Sequence, residues 1–167
     1  MSNPVISVIT VGMNHKKFIS NLYPSLYGDG RPSMDFEAVY VDNCSTDGSV
    51  EYLKQEFPQV RVIVNDRLRG FGDNNNIGAM AAKGDYLAII NPDIVLHKGA
   101  LDTAVEYLKQ HDEVGIVVPQ LLNPDGSKQS SVRRLLTSPK LSIYVKTKDP
   151  DTSQPSQTGS SLCTNST

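Results

Sequence analysis

Two rhythms of apolar and polar positions run through the first two-thirds of the chain. Short runs rich in β-branched residues occupy positions 5–11, 36–41, 60–64, 86–90 and 114–118. Runs of that length, bounded by turn residues, predict buried strands. Between them, apolar residues recur three or four positions apart. Phe18, Leu22 and Leu26 form one such stripe, and Val50, Leu53 and Phe57 a second. Ile77, Met80 and Ala81 form a third, and Ala100, Leu101, Ala104, Val105 and Leu108 a fourth. That spacing predicts a helix in each interval. Pro24 counts against the second half of the first helix. Asp73 is placed to cap the third, with Gly84 beyond its end. Asn123-Pro124-Asp125-Gly126 is a turn signal and predicts a hairpin. Strands alternating with helices predict an α/β fold, a Rossmann-like, mostly parallel sheet with helices on both faces.

The pattern fades near Lys146. In residues 151–167, nine of seventeen positions are Ser or Thr, and only Leu162 and Cys163 are apolar. Such a segment buries too little surface to offset its ordering entropy. The expected organisation is a domain over 1–146 and a disordered Ser/Thr-rich tail over 147–167. Asn165-Ser166-Thr167 matches a glycosylation acceptor pattern, read as coincidence for a cytoplasmic tail.

Composition narrows the class. The 167 residues carry a formal net charge of −2, which gives no reason to expect nucleic acid as a partner. No apolar run approaches the roughly 20 residues of a membrane span. The amino terminus has no basic region ahead of an apolar run and does not read as a signal peptide. Cys44 and Cys163 lack metal-site or disulfide spacing and read as free thiols, in keeping with a cytoplasmic location.

Three segments carry candidate chemistry. Asp42 closes the second predicted strand, where open α/β sheets take up ligands. Its carboxylate suits a base N–H or a ribose hydroxyl. Ser45, Thr46 and Asp47 beside it are cap residues for the next helix. The second segment spans 67–78. Gly70 and Gly72 let backbone approach a ligand, the helix start offers free N–H groups, and Arg67 and Arg69 suit a diphosphate. A tight turn with an Asn-rich cap explains the same residues, and neither the P-loop nor the dinucleotide fingerprint is present. The third is Asn91-Pro92-Asp93. Pro92 stops the strand and leaves Asp93 at its carboxyl end, where an oxygen ligand suits magnesium or manganese bound to a diphosphate. Asp85, at the strand's other end, is about 16 Å away at ~3.3 Å per residue and cannot share that ion. His15, His97 and His111 show no metal spacing, and no nucleophile elbow for Ser/His/Asp catalysis occurs.

In this order, the segments resemble the family 2 glycosyltransferases of the GT-A fold over residues 4–139. Residues 41–49 resemble that family's nucleotide-binding turn, and 69–78 its glycine- and asparagine-rich segment. Asn91-Pro92-Asp93 stands at its metal-binding acidic motif. The Asn-Pro-Asp form, with 121–126 and Arg133-Arg134 downstream, is most similar to the rhamnosyltransferase-like branch. The resemblance implies sugar transfer from a nucleotide diphospho-sugar, UDP- or dTDP-linked, to an acceptor hydroxyl in polysaccharide biosynthesis. It implies nucleotide contacts from Thr10, Asp42, Arg69, Gly70 and Asn76. It also implies a Mg2+ or Mn2+ ion held by Asp93 and Asn91, and a peripheral meeting with the membrane through a lipid-linked acceptor. Members of the family continue for roughly another hundred residues, which carry acceptor contacts and a base. Here Glu113 is the last glutamate, and Asp149 and Asp151 fall in polar sequence. The expectation is therefore an amino-terminal, donor-binding half, truncated after the metal strand. Alternatives are a non-catalytic nucleotide-sugar-binding module, a truncated remnant and, less favoured, a nucleotidyltransferase.

Overall fold

The computed structural model describes residues 4–129. Strands β1 (Ile6–Gly12), β2 (Phe36–Asp42), β3 (Arg61–Val64) and β4 (Tyr86–Ile89) form one parallel sheet in the order β3-β2-β1-β4. Parallel neighbours require crossovers, and helices supply them: α1 (Lys16–Tyr27), α2 (Ser49–Glu56) and α3 (Phe71–Ala81), with α4 (Ala100–Gln110) after β4. The fold is α/β and mostly parallel, as the alternation predicts.

Side chains of a strand point alternately to the two faces. Ile6 and Val8 of β1, with Ala38 and Tyr40 of β2, pack under Ile19, Leu22, Tyr23 and Leu26 of α1, Leu53 of α2 and Val105 of α4. Each fully buried Leu or Ile in this layer stabilises the fold by roughly 1.5–3 kcal/mol. The other face belongs to α3. There Gly78 lies so close to β1 that a Cβ would collide with Ile9 Cγ2. Register brings the carboxyl ends together, with Gly12 opposite Asp42 and Asp42 opposite Val64. β4 stops lower, with Ile89 opposite Ile9, so residues 90–93 rise beside the end of β1.

Four expectations need correction. First, α1 runs through Pro24 to Tyr27. The ring is exposed and sits in the last turn, so the cost is limited to one backbone bond. The stripe is also rotated. Phe18 is exposed, and Ile19 takes its place in the core. Second, Gly70 caps α3, and Asp73 lies in its first turn, where a carboxylate favours the helix dipole. Third, Met80 is 87% exposed, and the buried residues of α3 are Asn74 and Gly78. Fourth, residues 114–118 form no strand. Their β-branched side chains find no pairing partner among the described residues, and Val118 is 72% exposed. Strand preference is expressed only on a paired, half-buried surface. The hairpin does form. Leu122 bridges Lys128, and Gly126 takes φ 81° in the turn. The predicted tail 147–167 lies outside the described residues, as do Arg133, Arg134, Cys163 and Asn165.

Candidate functional site

The site begins where β1 and β2 end. Gly12 O accepts the Asn43 N–H, and a Cβ on Gly12 would strike the Tyr40 hydroxyl, so this position requires glycine. The loops that follow are clasped together. Asn14, at φ 55°, accepts the Thr46 N–H on Oδ1 (2.8 Å) and donates its own N–H to Ser45 Oγ (2.9 Å). Asp47 serves two helix starts. Its Oδ2 accepts the Lys16 N–H of α1 (2.9 Å), and its Oδ1 accepts the Ser49 N–H of α2 (3.0 Å). Slight burial pushes the Asp47 carboxyl up, but the Ser49 hydroxyl and the backbone N–H groups of Lys16, Ser49 and Asp47 itself outweigh it and hold it below the usual range. His15 Nδ1 accepts the Met13 N–H at 2.9 Å, so the neutral ring carries its proton on Nε2.

Asp42 is 1% exposed. Its Oδ2 accepts the Ser45 N–H at 2.9 Å, whereas its Oδ1 is buried with no partner among the described residues. Thr10 Oγ1 and the Tyr23 and Tyr40 hydroxyls are likewise buried and unpartnered. Burial first, and then the Asp42 charge, push the Tyr40 hydroxyl to ionise well above the ordinary tyrosine range. Burial does the same to Tyr23.

The neighbouring wall is held by amides. Asn43 Oδ1 accepts the Arg69 N–H (2.9 Å), and its Nδ2 donates to Arg69 O (3.1 Å). Asn74 Nδ2 donates to the same carbonyl at 3.2 Å. Asn65 Nδ2 donates to Asn74 Oδ1 (2.6 Å) and Asn43 Oδ1 (3.2 Å). The Arg69 side chain turns back to Asp66 Oδ1 at 2.9 Å, which holds that carboxyl below the usual range. Arg69 Nε is buried without a partner among the described residues.

A cleft of about 410 Å³ opens above these ends. Asn43, Arg69, Phe71 and Asn74 line one side, and Asn91, Pro92 and Asp93 another. Val11, Gly12, Met13, His15 and Phe18 complete it. Of the residues singled out from the sequence, Arg69, Asn91 and Asp93 meet in this cleft. Gly70 is exposed at the α3 start beside it. Asp42, next to Asn43 in the chain, is buried and does not itself line the cleft. Thr10 sits in the core with Tyr23 and Tyr40, and Asn76 is exposed on α3; neither lines the cleft. Asn65, Asn74 and His15 were not anticipated. Asn74 carried a signal only in hindsight, as one of three consecutive asparagines.

Among the described residues, no group of three or more His, Cys, Asp or Glu side chains could hold a metal ion. Asp93 and Asn91 are exposed to the cleft, and Asp93 enters no ion pair among the described residues. One carboxylate and one amide oxygen fit a magnesium-type ion that keeps several waters and takes its remaining ligands from phosphate. They do not fit an all-protein cage.

The family model "Glycosyl transferase family 2" matches residues 7–162. The poly(ribitol-phosphate) beta-N-acetylglucosaminyltransferase TarS of Staphylococcus aureus is 26% identical over 141 residues, covering 82% of this chain and 24% of that protein. The N-acetylglucosaminyl-diphospho-decaprenol L-rhamnosyltransferase of Mycobacterium tuberculosis is 28% identical over 144 residues, covering 79% of this chain and 45% of that one. Among solved structures, TarS residues 1–349 in complex with UDP-GlcNAc superimposes with a TM-score of 0.58 at 27% identity. It covers 64% of this chain and 32% of the other. The chain thus spans less than half the length of the two curated relatives.

Proposed function

The chain belongs to glycosyl transferase family 2 and has the GT-A type of α/β fold, and from that premise we propose that its cleft binds the donor of a sugar transfer, a UDP- or dTDP-linked sugar. The observation that carries this reading is the Asp42 carboxylate, buried at a strand end with Oδ1 unpartnered. A buried charged acceptor left unpaired is costly, and a ligand donor would relieve it. In this reading Oδ1 accepts a hydrogen bond from the base or ribose. The Arg69 guanidinium, paired with Asp66 in the free chain, would turn to meet the diphosphate together with the α3 start, since cations and free helix N–H groups both favour anions there. Gly70 lets the phosphates approach that helix start. Thr10 and Asn76, also expected at the nucleotide, are the weaker members of the set, one in the core and the other outside the cleft.

Asp93 and Asn91 would hold Mg2+ or Mn2+. A bound ion there supplies charge neutralisation for the departing nucleotide. The chain's own part is to orient the diphosphate through Arg69 and to fix the nucleoside through Asp42. Met13 and Phe18 would exclude water with their apolar surfaces. The acceptor would be a hydroxyl of a polysaccharide or its lipid-linked precursor. No helix among the described residues is long and apolar enough to cross a membrane, and we place the reaction in the cytoplasm with a peripheral approach to such an acceptor.

A second reading, a donor-binding module without transfer of its own, is favoured by one observation. Asp93 is the only carboxylate among the described residues that line the cleft, and direct displacement needs a base as well. Calorimetric titration with UDP-, dTDP- and GDP-sugars, with and without manganese, tests the first claim. Binding of a UDP- or dTDP-sugar that strengthens with manganese is expected. No binding of any nucleotide sugar would reject it. Mass spectrometry of the products formed with a panel of acceptors separates the two readings, because only the first predicts multiple turnovers.

A further inference from the structure

We propose that Asn65, at the end of β3 and outside the cleft, is a positioning residue for the donor diphosphate, acting through Arg69. The inference rests on the proposed role of the Arg69 guanidinium.

The Arg69 backbone sets the arrangement. Its N–H must face an acceptor and its C=O a donor, which fixes the Asn43 amide with Oδ1 toward the N–H and Nδ2 toward the carbonyl. The same carbonyl fixes Asn74, whose Nδ2 faces it and whose Oδ1 therefore points away. Asn74 Oδ1 has no donor besides Asn65 among the described residues, and Asn43 Oδ1, which already accepts the Arg69 N–H, keeps a lone pair to spare across a gap from it. Asn65 Nδ2 fills the gap and reaches both, Asn74 at 2.6 Å and Asn43 at 3.2 Å. The Asn65 backbone is fixed independently. Its N–H donates to Asp42 O at 2.9 Å, extending the β2–β3 ladder, and its carbonyl accepts from Cys44 Sγ. One amide group thus joins the end of β2, the end of β3 and the first turn of α3, and the two amides it holds both bond the backbone of Arg69. The network contains no charge, so its arrangement is directional rather than electrostatic.

Asn65→Asp separates this role from simple packing. The substitution keeps size and both backbone contacts but removes the donor. Either a carboxylate faces two amide oxygens, or Asn74 and Asn43 rotate to donate to it and release the Arg69 peptide. Both outcomes are expected to loosen the Arg69 backbone that carries the guanidinium, while the Asp42 carboxylate keeps its Ser45 N–H.

The test is calorimetric titration of the full chain with UDP and with uridine, using Arg69→Ala, Asn65→Asp and the double variant, each beside a thermal melt. Arg69→Ala first checks the underlying reading, by weakening UDP and sparing uridine. Asn65→Asp is expected to weaken UDP about tenfold, the worth of one or two hydrogen bonds, and uridine less than twofold. It is expected to add almost nothing in the Arg69→Ala background. If Arg69→Ala weakens UDP and Asn65→Asp does not, the positioning role is overturned while the reading of Arg69 stands. If Arg69→Ala changes nothing, both fail. Equal losses for UDP and uridine, or losses that add in the double variant, also overturn the role. Should Asn65→Asp not fold, Asn65→Ser, whose hydroxyl is too short to reach either oxygen, takes its place. Failure of both to fold would show that the network holds the fold rather than the site.

Discussion

The two sides of the cleft are built in opposite ways. On the Arg69 side, backbone and side chains are tied by a continuous set of amide hydrogen bonds, and Asn74 is 1% exposed at its centre. On the Asp93 side, the chain leaves β4 at a proline. Asn91 and Asp93 stand exposed, and among the described residues the backbone of 91–94 contributes a long Ile94 N–H to Asn91 O contact of 3.3 Å. One wall is arranged before any ligand arrives. The other presents the exposed side-chain oxygens of Asn91 and Asp93. Preorganised donors contribute most where charge must be met without rearrangement, which suits the diphosphate. A magnesium-type ion keeps its waters and needs few protein ligands, which suits the bare wall.

The largest expected effect tests the bare wall. Asp93→Ala should reduce affinity for manganese in the presence of UDP by at least about 100-fold, more than is usual for loss of a supporting partner. Its melting temperature should stay within a few degrees, because an exposed carboxylate contributes little to stability. Titrations with manganese and with a chelator decide this, and an unchanged metal dependence would remove Asp93 from the site.

Asp42→Asn sharpens the comparison from beneath. Loss of a charged acceptor should weaken UDP by about 10- to 100-fold, equally with and without manganese. A loss seen only with manganese would assign Asp42 to the ion instead.

The clasp behind both loops should show itself in stability. Asp47→Ala removes the acceptor for the starts of α1 and α2, each worth about 1 kcal/mol as a cap. A loss of roughly 1–2 kcal/mol in chemical denaturation is expected. The acid dependence follows from the depressed Asp47 pKa. Its contribution is complete above the unfolded carboxylate value and is lost as pH falls through the lower folded value. Melting curves of wild type and Asp47→Asn should therefore converge toward strongly acidic pH.

Gly78→Ala gives an effect of similar size from the other face. The added methyl meets the β-branched Ile9, which cannot yield cheaply, so a cost of about 1–3 kcal/mol is expected. Because Gly78 lies one turn after Asn74, UDP affinity should fall as well. Unchanged stability would mean that α3 can shift on the sheet without strain.

The sequence made the strand ends legible because there the chemistry and the pattern coincide. β-Branched runs stop at Asp42 and at Pro92, and both stops lie at carboxyl ends of strands in the sheet. The face of α3 was illegible for the opposite reason. It meets the sheet through Gly78 and Asn74, so apolar periodicity points to Met80, which faces solvent. Residues 114–118 misled because β-branching does not say whether a partner strand exists. Asn65 and Asn43 were invisible as positioning groups because an amide's role depends on what faces each of its ends, which one-dimensional spacing does not encode. Thr10 belongs to a strand whose alternation is visible. Its direction, toward Tyr23 and away from the cleft, follows only from knowing which face α1 covers.

We infer that a nucleotide occupies the cleft between these two walls. Amide hydrogen exchange of the full chain, with and without UDP and manganese, tests it most directly. Slowed exchange is expected at residues 42–45 and 69–74 on adding UDP alone, with additional slowing at 93–94 only when manganese is also present. Protection confined to other parts of the sheet, or none at saturating UDP, would contradict it.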